Sequence, residues 1–224
     1  MHGVYISSTN VSCVSPMYQI GTISVEVTTN GVDYSEDMVQ YRYYASPAIS
    51  HIVPSSGPTE GGTVVSVYGR NFIDSDSLYC RFGNDSTVAG RWVSSDRVEC
   101  QTSSMVASNV VVEVTNNGFD YTANRVEFTV LPESVVTSVD PTFGPIGTST
   151  SVTVHGSGFV FSRSLYCRFG LLSVAAMFVN DTMVVCSAPD AAQGSVDVRV
   201  SSNGIDYSKT LSLIHISEPT RPIH

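Results

Sequence analysis

Apolar residues occupy every second position in three separate runs: Ile23-x-Val25-x-Val27, Val110-x-Val112-x-Val114 and Val196-x-Val198-x-Val200. The residues between them, Ser24 and Glu26, Val111 and Glu113, Asp197 and Arg199, are mostly polar. A period of two predicts strands with one buried and one wet face, as in the outer strands of a sandwich. Each run leads into Asn-Gly (Asn30-Gly31, Asn117-Gly118, Asn203-Gly204), residues that tolerate positive φ and predict a tight hairpin turn. Alternation resumes at Val126-x-Phe128-x-Val130, and no segment sustains a helical period. The pattern predicts an all-β chain built as two-sheet sandwiches of immunoglobulin-like character, with about seven short strands in each.

These runs belong to a repeat. Gly3–Tyr34, Gly90–Tyr121 and Met177–Tyr207 each hold an aromatic, a cysteine, the alternating run and Asn-Gly-x-Asp-Tyr. Cys13, Cys100 and Cys186 lie 86 to 87 residues apart, and the Asn-Gly glycine follows each by 18 positions. Two copies extend the match upstream. Pro54-Ser55-Ser56-Gly57-Pro58 aligns with Pro141-Thr142-Phe143-Gly144-Pro145, and Leu78-Tyr79-Cys80-Arg81-Phe82-Gly83 aligns with Leu165-Tyr166-Cys167-Arg168-Phe169-Gly170. A fixed period of this length means a tandem array of one small domain.

The expected organisation follows. Residues 1–45 are the second half of a repeat, so Met1 is expected to be internal to a longer protein; 46–131 form a complete repeat; 132–210 form a repeat expected to lack its last strand. Leu211–Arg221 looks like a translated transposase adapter from a sequencing library, so 211–224 is expected to be artefact rather than domain. Against that, Ile214 and Ile216 fall where Phe128 and Val130 sit in the preceding copy. Short proline-containing links at Ala45-Ser46-Pro47 and Leu131-Pro132-Glu133 limit bending and predict a semi-rigid rod.

Composition narrows the setting. Only 14% of residues are charged, and a net charge of −9 disfavours phosphate backbones, so nucleic acid is not an expected partner. No run approaches the ~18 apolar residues of a membrane span. Each complete copy holds two cysteines on strand-like segments, Cys80 with Cys100 and Cys167 with Cys186, expected as disulfides; buried thiols in a cytosolic protein are the alternative. Cys13 matches Cys100, and its partner would belong to the missing half. Sequons at Asn10, Asn84 and Asn180 agree with an extracellular or cell-surface address.

Candidate chemistry is sparse. Trp92 could stack on a sugar or base, but Tyr5 and Phe178 hold its place in the other copies, which predicts core packing. Asp33, Asp120 and Asp206 supply one carboxylate per repeat, fewer than calcium needs, and are expected to close the hairpin by a side-chain hydrogen bond. Asp74-Ser75-Asp76-Ser77 lacks the glycine and glutamate of an EF-hand loop. His51 and His155 belong to no hydrolase or metalloprotease motif, so neither catalysis, cofactor nor metal is expected. The loops Asp74–Ser77 and Asn84–Thr87, with Asp85, differ most between copies and are the first choice for a partner-binding surface.

Taken together, Pro-x-x-Gly-Pro, Val-x-Gly-x-x-Phe, Cys-x-Phe-Gly, Val-x-Cys and Asn-Gly-x-Asp-Tyr resemble the IPT/TIG domain, over Pro47–Tyr207 fully and Gly3–Tyr43 in part. The resemblance implies tandem early-set immunoglobulin-like sandwiches without common catalytic residues, of the kind in receptor ectodomains such as the plexins. Thr148-Ser149 replaces Gly61-Gly62 in the last copy, so its first turn is expected to differ. The function expected is a non-enzymatic extracellular spacer or protein-binding array of a cell-surface receptor or adhesion protein, its protein ligand unknown. The alternatives are an accessory module of a secreted carbohydrate-active enzyme, or a transcription-factor dimerisation module.

Overall fold

The computed structural model describes residues 2–84, 86–145, 149–190, 194–209 and, for the backbone alone, 212–217. The chain divides into two compact units, Met1–Ser46 and Pro47–His224.

In the first unit β1 (Val4–Ser7) pairs with β2 (Asn10–Ser12), and β3 (Gly21–Val25) pairs with β4 (Val39–Tyr43), both antiparallel. These are two separate two-stranded ribbons. No described residue of this unit is buried; even Ile23, on the alternating run, is only half-buried. Ribbons of this size lack a facing sheet and are marginal in water. Hydrogen-exchange mass spectrometry is expected to show residues 3–43 exchanging far faster than the β-strands of the second unit; comparable protection would overturn this reading.

The second unit contains two sandwiches of one topology. The first uses β5 (Ala48–Val53), β6 (Ser56–Pro58), β7 (Val64–Arg70), β8 (Tyr79–Phe82), β9 (Ser86–Ser94), β10 (Arg97–Gln101), β11 (Ser108–Thr115) and β12 (Val126–Leu131). The second uses β13 (Val135–Asp140), β14 (Phe143–Pro145), β15 (Thr150–Ser157), β16 (Tyr166–Phe169), β17 (Leu172–Asn180), β18 (Met183–Ala188), β19 (Gly194–Ser201) and β20 (Ser212–Ser217). Hydrogen-bonded order in the first is β5-β7-β10-β9-β8-β11-β12-β6, and the second repeats it strand for strand.

Eight strands appear where about seven were expected, because proline splits the first. Pro54 and Pro141 have no N–H to donate. The chain before each pairs with β7 or β15, and the chain after it runs parallel to β12 or β20 in the other sheet. The middle strand also changes sheets. Ser86–Ala89 pairs with β8, while Gly90–Trp92 and Ser94 pair with β10, so β9 folds over the core at Gly90. Strand β17 does the same at Ala176. Strand β20, from the segment expected to be adapter-derived, stands where β12 stands: Val196 is in register with Ile214 as Val110 is with Phe128.

Each sandwich has its own core of inward-facing positions. In the first, Val65, Val67, Val98, Val112, Val114, Phe82 and Phe128 are fully buried, the two rings edge to face at 5.5 Å. In the second, Val152, Val154, Val184, Val198 and Val200 take the matching places. Val-x-Val-x-Gly needs its glycine, Gly69 or Gly156, because a Cβ there would meet the carbonyl oxygen of Ala48 or Val135 at 2.0 or 1.9 Å.

Candidate functional site

The paired cysteines join the two sheets of each sandwich. Cys80 on β8 is bonded to Cys100 on β10, and Cys167 on β16 to Cys186 on β18, with Cα atoms 6.3 Å apart in both. All four sulfurs lie in the cores. Cys13 is a free, exposed thiol.

The Asn-Gly-x-Asp-Tyr segments share one hydrogen-bonded design. Asn30, Asn117 and Asn203 each accept, through Oδ1, the backbone N–H of the residue two and three positions on, at 2.8–3.0 Å. Each donates from Nδ2 to the aspartate Oδ2 at 2.7–2.8 Å. The glycines sit at φ +76° to +79°, with their N–H groups held by the hydroxyl of Thr28, Thr115 or Ser201. The expected aspartate hydrogen bond is therefore present in all three copies. The expected tight hairpin is not, since residues 116–125 separate β11 from β12. Asparagine here builds a side-chain-braced loop (an Asx turn) rather than a two-residue hairpin.

Two features escaped the sequence reading. The residue after each tyrosine, Ser35, Thr122 or Ser208, accepts from the N–H of Val27, Val114 or Val200 at 3.0–3.2 Å and fastens the loop to its strand. The tyrosine itself carries an arginine: Arg81 lies over the Tyr121 ring at 3.9 Å and Arg168 over Tyr207 at 4.1 Å. This stack ties Cys-Arg-Phe-Gly to Asn-Gly-x-Asp-Tyr, explaining physically why the two motifs travel together. Arg81 also pairs with Glu113 at 2.6 Å.

In the second sandwich this loop does more than brace itself. Asp206 Oδ2 accepts the Thr63 hydroxyl of the first sandwich at 2.7 Å, and Asn203 Nδ2 donates to the Ser56 carbonyl at 2.8 Å. Lys209 forms an ion pair with Glu60. The three contacts lie around a cleft of about 470 Å³, lined also by Gly61, Gly62, Leu131, Glu133 and Ile205. Hydrogen bonding to Lys209 holds the Glu60 carboxyl below its usual range, and Glu60 in turn raises the Lys209 ammonium. Glu60 therefore favours the joined state above the ordinary carboxylate range and loses that contribution as acid protonates it. Lys209 loses its own contribution only as pH rises through its raised pKa. The pair persists through neutrality, although both side chains are exposed and salt screens them. Thr63 is fully buried, so its hydrogen bond to a carboxylate counts for more. Replacing it by isosteric Val is expected to weaken coupling between the sandwiches by about 1.5–3 kcal/mol. Differential scanning calorimetry should then resolve two transitions further apart than in the native chain.

The IPT/TIG domain family model matches residues 47–130 and 134–215. The chain belongs to the IPT/TIG family. It is 24% identical over 173 residues to fibrocystin-L of Mus musculus, covering 75% of this chain and 4% of that protein. It is 27% identical over 176 residues to plexin-2 of Caenorhabditis briggsae, with coverage of 73% and 9%. With plexin-A3 of Homo sapiens the figures are 22% over 213 residues, 90% and 11%. The chain thus spans a small part of these relatives' length. Among solved structures, the extracellular region of plexin A4 (domains 1 to 10) is similar over 80% of this chain and 17% of that one, at 16% identity and a TM-score of 0.48.

Within the IPT/TIG sandwiches the sequence-predicted surface residues are dispersed. Asp74–Ser77 precedes β8 and Asn84 follows it, so the two loops lie at opposite ends of that strand and do not converge. Asp74 and Asp76 are exposed, while Ser75 donates its hydroxyl to the Asn116 carbonyl at 2.7 Å. Asp85 lies outside the described residues. The sequon asparagines Asn10, Asn84 and Asn180 are exposed; Asn180 accepts both the N–H and the hydroxyl of Thr182 at 2.9 Å. Trp92 departs from expectation. It is 38% exposed rather than core, because past Ala89 strand β9 has left β8 and keeps only β10 as a partner, so the indole stands at an open side and donates to the Phe72 carbonyl at 3.3 Å. Among the described residues no three His, Cys, Asp or Glu side chains converge as a metal site would require, and no helix is long and apolar enough to cross a membrane.

Proposed function

We propose that this chain is part of a non-enzymatic extracellular array that spaces and presents a protein-binding surface in a cell-surface receptor or adhesion protein. The observation that carries the reading is the joint of Thr63, Ser56 and Glu60 with Asp206, Asn203 and Lys209. A hydrogen-bonded seat between successive sandwiches, with only Pro132, Glu133 and Ser134 between β12 and β13, holds two domains in a fixed relation, as a spacer requires. Inter-sheet disulfides and exposed sequon asparagines support the extracellular address, since disulfides persist in oxidising compartments. The array supplies length and orientation, and its partner meets exposed loops or a sheet face. Asp74–Ser77, Asn84 and Asp85 remain candidates for that contact, as two separate surfaces rather than one. The test is secretion of the chain from eukaryotic cells followed by intact mass before and after reduction and deglycosylation. Two intact disulfides and glycan mass on the sequons support the reading; four free thiols in residues 47–210 would sink it.

A further inference from the structure

We propose that the Asn117–Tyr121 loop of the first sandwich is a second docking surface, built to seat the amino-terminal turn of another IPT/TIG repeat. The proposal rests on the array reading above and adds where a neighbouring repeat attaches and which side chains hold it. The internal precedent is the joint itself. There, Asn203 Nδ2 and Asp206 Oδ2 reach across to a backbone carbonyl and a threonine hydroxyl of the turn Ser56–Thr63. Asn117 and Asp120 hold the same two groups in the same relation, with Nδ2 to Oδ2 at 2.8 Å against 2.7 Å in the seated copy. The difference is exposure: Asp206 is half-buried in its joint, whereas Asp120 is exposed.

The apolar member of the seat points the same way. Ile205, 55% exposed, lines the cleft beside Pro58 and Leu131, and Phe119 occupies its place in the first sandwich at 86% exposure. An aromatic side chain that open, at the tip of a loop braced from beneath, is poised for burial against a partner. The bracing is specific. Asn116 accepts the Ile73 N–H through Oδ1 and donates to the Asn71 carbonyl, while Ser75 donates to the Asn116 carbonyl, so the neighbouring loop 71–77 is fixed to the same platform. The occupant must therefore offer a carbonyl, a hydroxyl and an apolar patch, as Ser56, Thr63 and the Pro58–Leu131 pair do here. Ala123 stands where Lys209 stands, so this seat has no counterpart of the ion pair to Glu60. Its docking should be less sensitive to salt and pH than the joint already formed.

The experiment replaces residues 1–46 by a second copy of 47–133, a segment that closes its own core, so that the added repeat precedes Pro47 through the array's own link. Residual dipolar couplings are measured on the added repeat and on the one that follows it. A shared alignment frame is expected, lost on Phe119→Ser and on Asp120→Ala and insensitive to added salt. Phe119→Ser is the decisive variant, since that side chain is open and its loss leaves the loop's own hydrogen bonds in place. Independent reorientation of the added repeat before any substitution, or a shared frame that survives both variants, would overturn the proposal. Neither result bears on the disulfide and glycan masses that test the extracellular reading, so the two can fail separately.

Discussion

Replacing Cys80 and Cys100 together by alanine is expected to destabilise the first sandwich by about 3 kcal/mol, the entropy of closing a loop of about 20 residues in the unfolded chain. The bond joins β8 to β10, strands of opposite sheets, so its loss frees the two halves of the sandwich to separate before any ladder breaks. Both sulfurs are buried, so alanine also leaves a void against the surrounding core valines. A sandwich of this size buries too little surface to absorb such a loss comfortably. Urea unfolding followed by hydrogen exchange at Val98 and Val112 should show the first core opening at lower denaturant while the second, bridged by Cys167–Cys186, keeps its midpoint. A change below about 0.5 kcal/mol would mean that strand pairing alone secures the sheets, since substitutions without a structural cost fall in that range.

Much of this architecture was legible in the sequence because it is written in local periods. Alternating valines place Val112 and Val114, or Val198 and Val200, on one face whatever their neighbours, and the recurrence of cysteine named both bridges. The asparagine–aspartate hydrogen bond was equally local, since it spans three residues. What failed depended on position in the sheet. Trp92 has an inward register opposite Val98, yet it lies past Ala89, where β9 has left β8 and keeps only β10 as a partner, and sequence alternation carries no information about where a strand changes sheets. Asn-Gly was legible as a site of positive φ but not as the start of a ten-residue connection, because the Asx turn and the two-residue hairpin use the same residues.

The joint was harder still. Thr63 and Asp206 stand 143 positions apart, and each has an adequate local explanation, one as a strand-flanking threonine and the other as a loop-closing acid. Their meeting depends on how one sandwich is carried by the link onto the next, which no single-repeat pattern records. The Arg81–Tyr121 stack was within reach, because the arginine and the tyrosine recur as Arg168 and Tyr207 at matched positions. Repetition of two residue types across copies signals a contact between them when neither is a core type.

The turn that receives the joint gives the second large prediction. Gly61 is at φ +76°, and a Cβ there would meet the Ser103 carbonyl carbon at 2.4 Å and the Thr102 oxygen at 2.7 Å. Its neighbour Gly62 is at φ +87° with nothing within 4 Å. Alanine at 62 therefore bears only the left-handed backbone cost, about 1–2 kcal/mol, whereas alanine at 61 adds an overpacking cost of about 1–3 kcal/mol. The atoms in the way are backbone, and they cannot swing aside as a side chain would. They are also part of the seat: Gly62 donates to the Thr102 carbonyl at 2.8 Å, and Thr102 donates to the Thr63 carbonyl at 2.9 Å. Pushing Ser103 away from residue 61 thus draws Thr63 off Asp206. Gly61→Ala is expected to lower the stability of the first sandwich and to separate its unfolding from that of the second, while Gly62→Ala lowers stability with the joint kept. Thermal unfolding of the two variants, with the Asn203 side-chain amide signal as reporter of the joint, distinguishes them. Equal behaviour would show that the turn yields as a whole. In that case Thr148, which replaces this glycine in the next repeat, would not prevent a like seat from forming there.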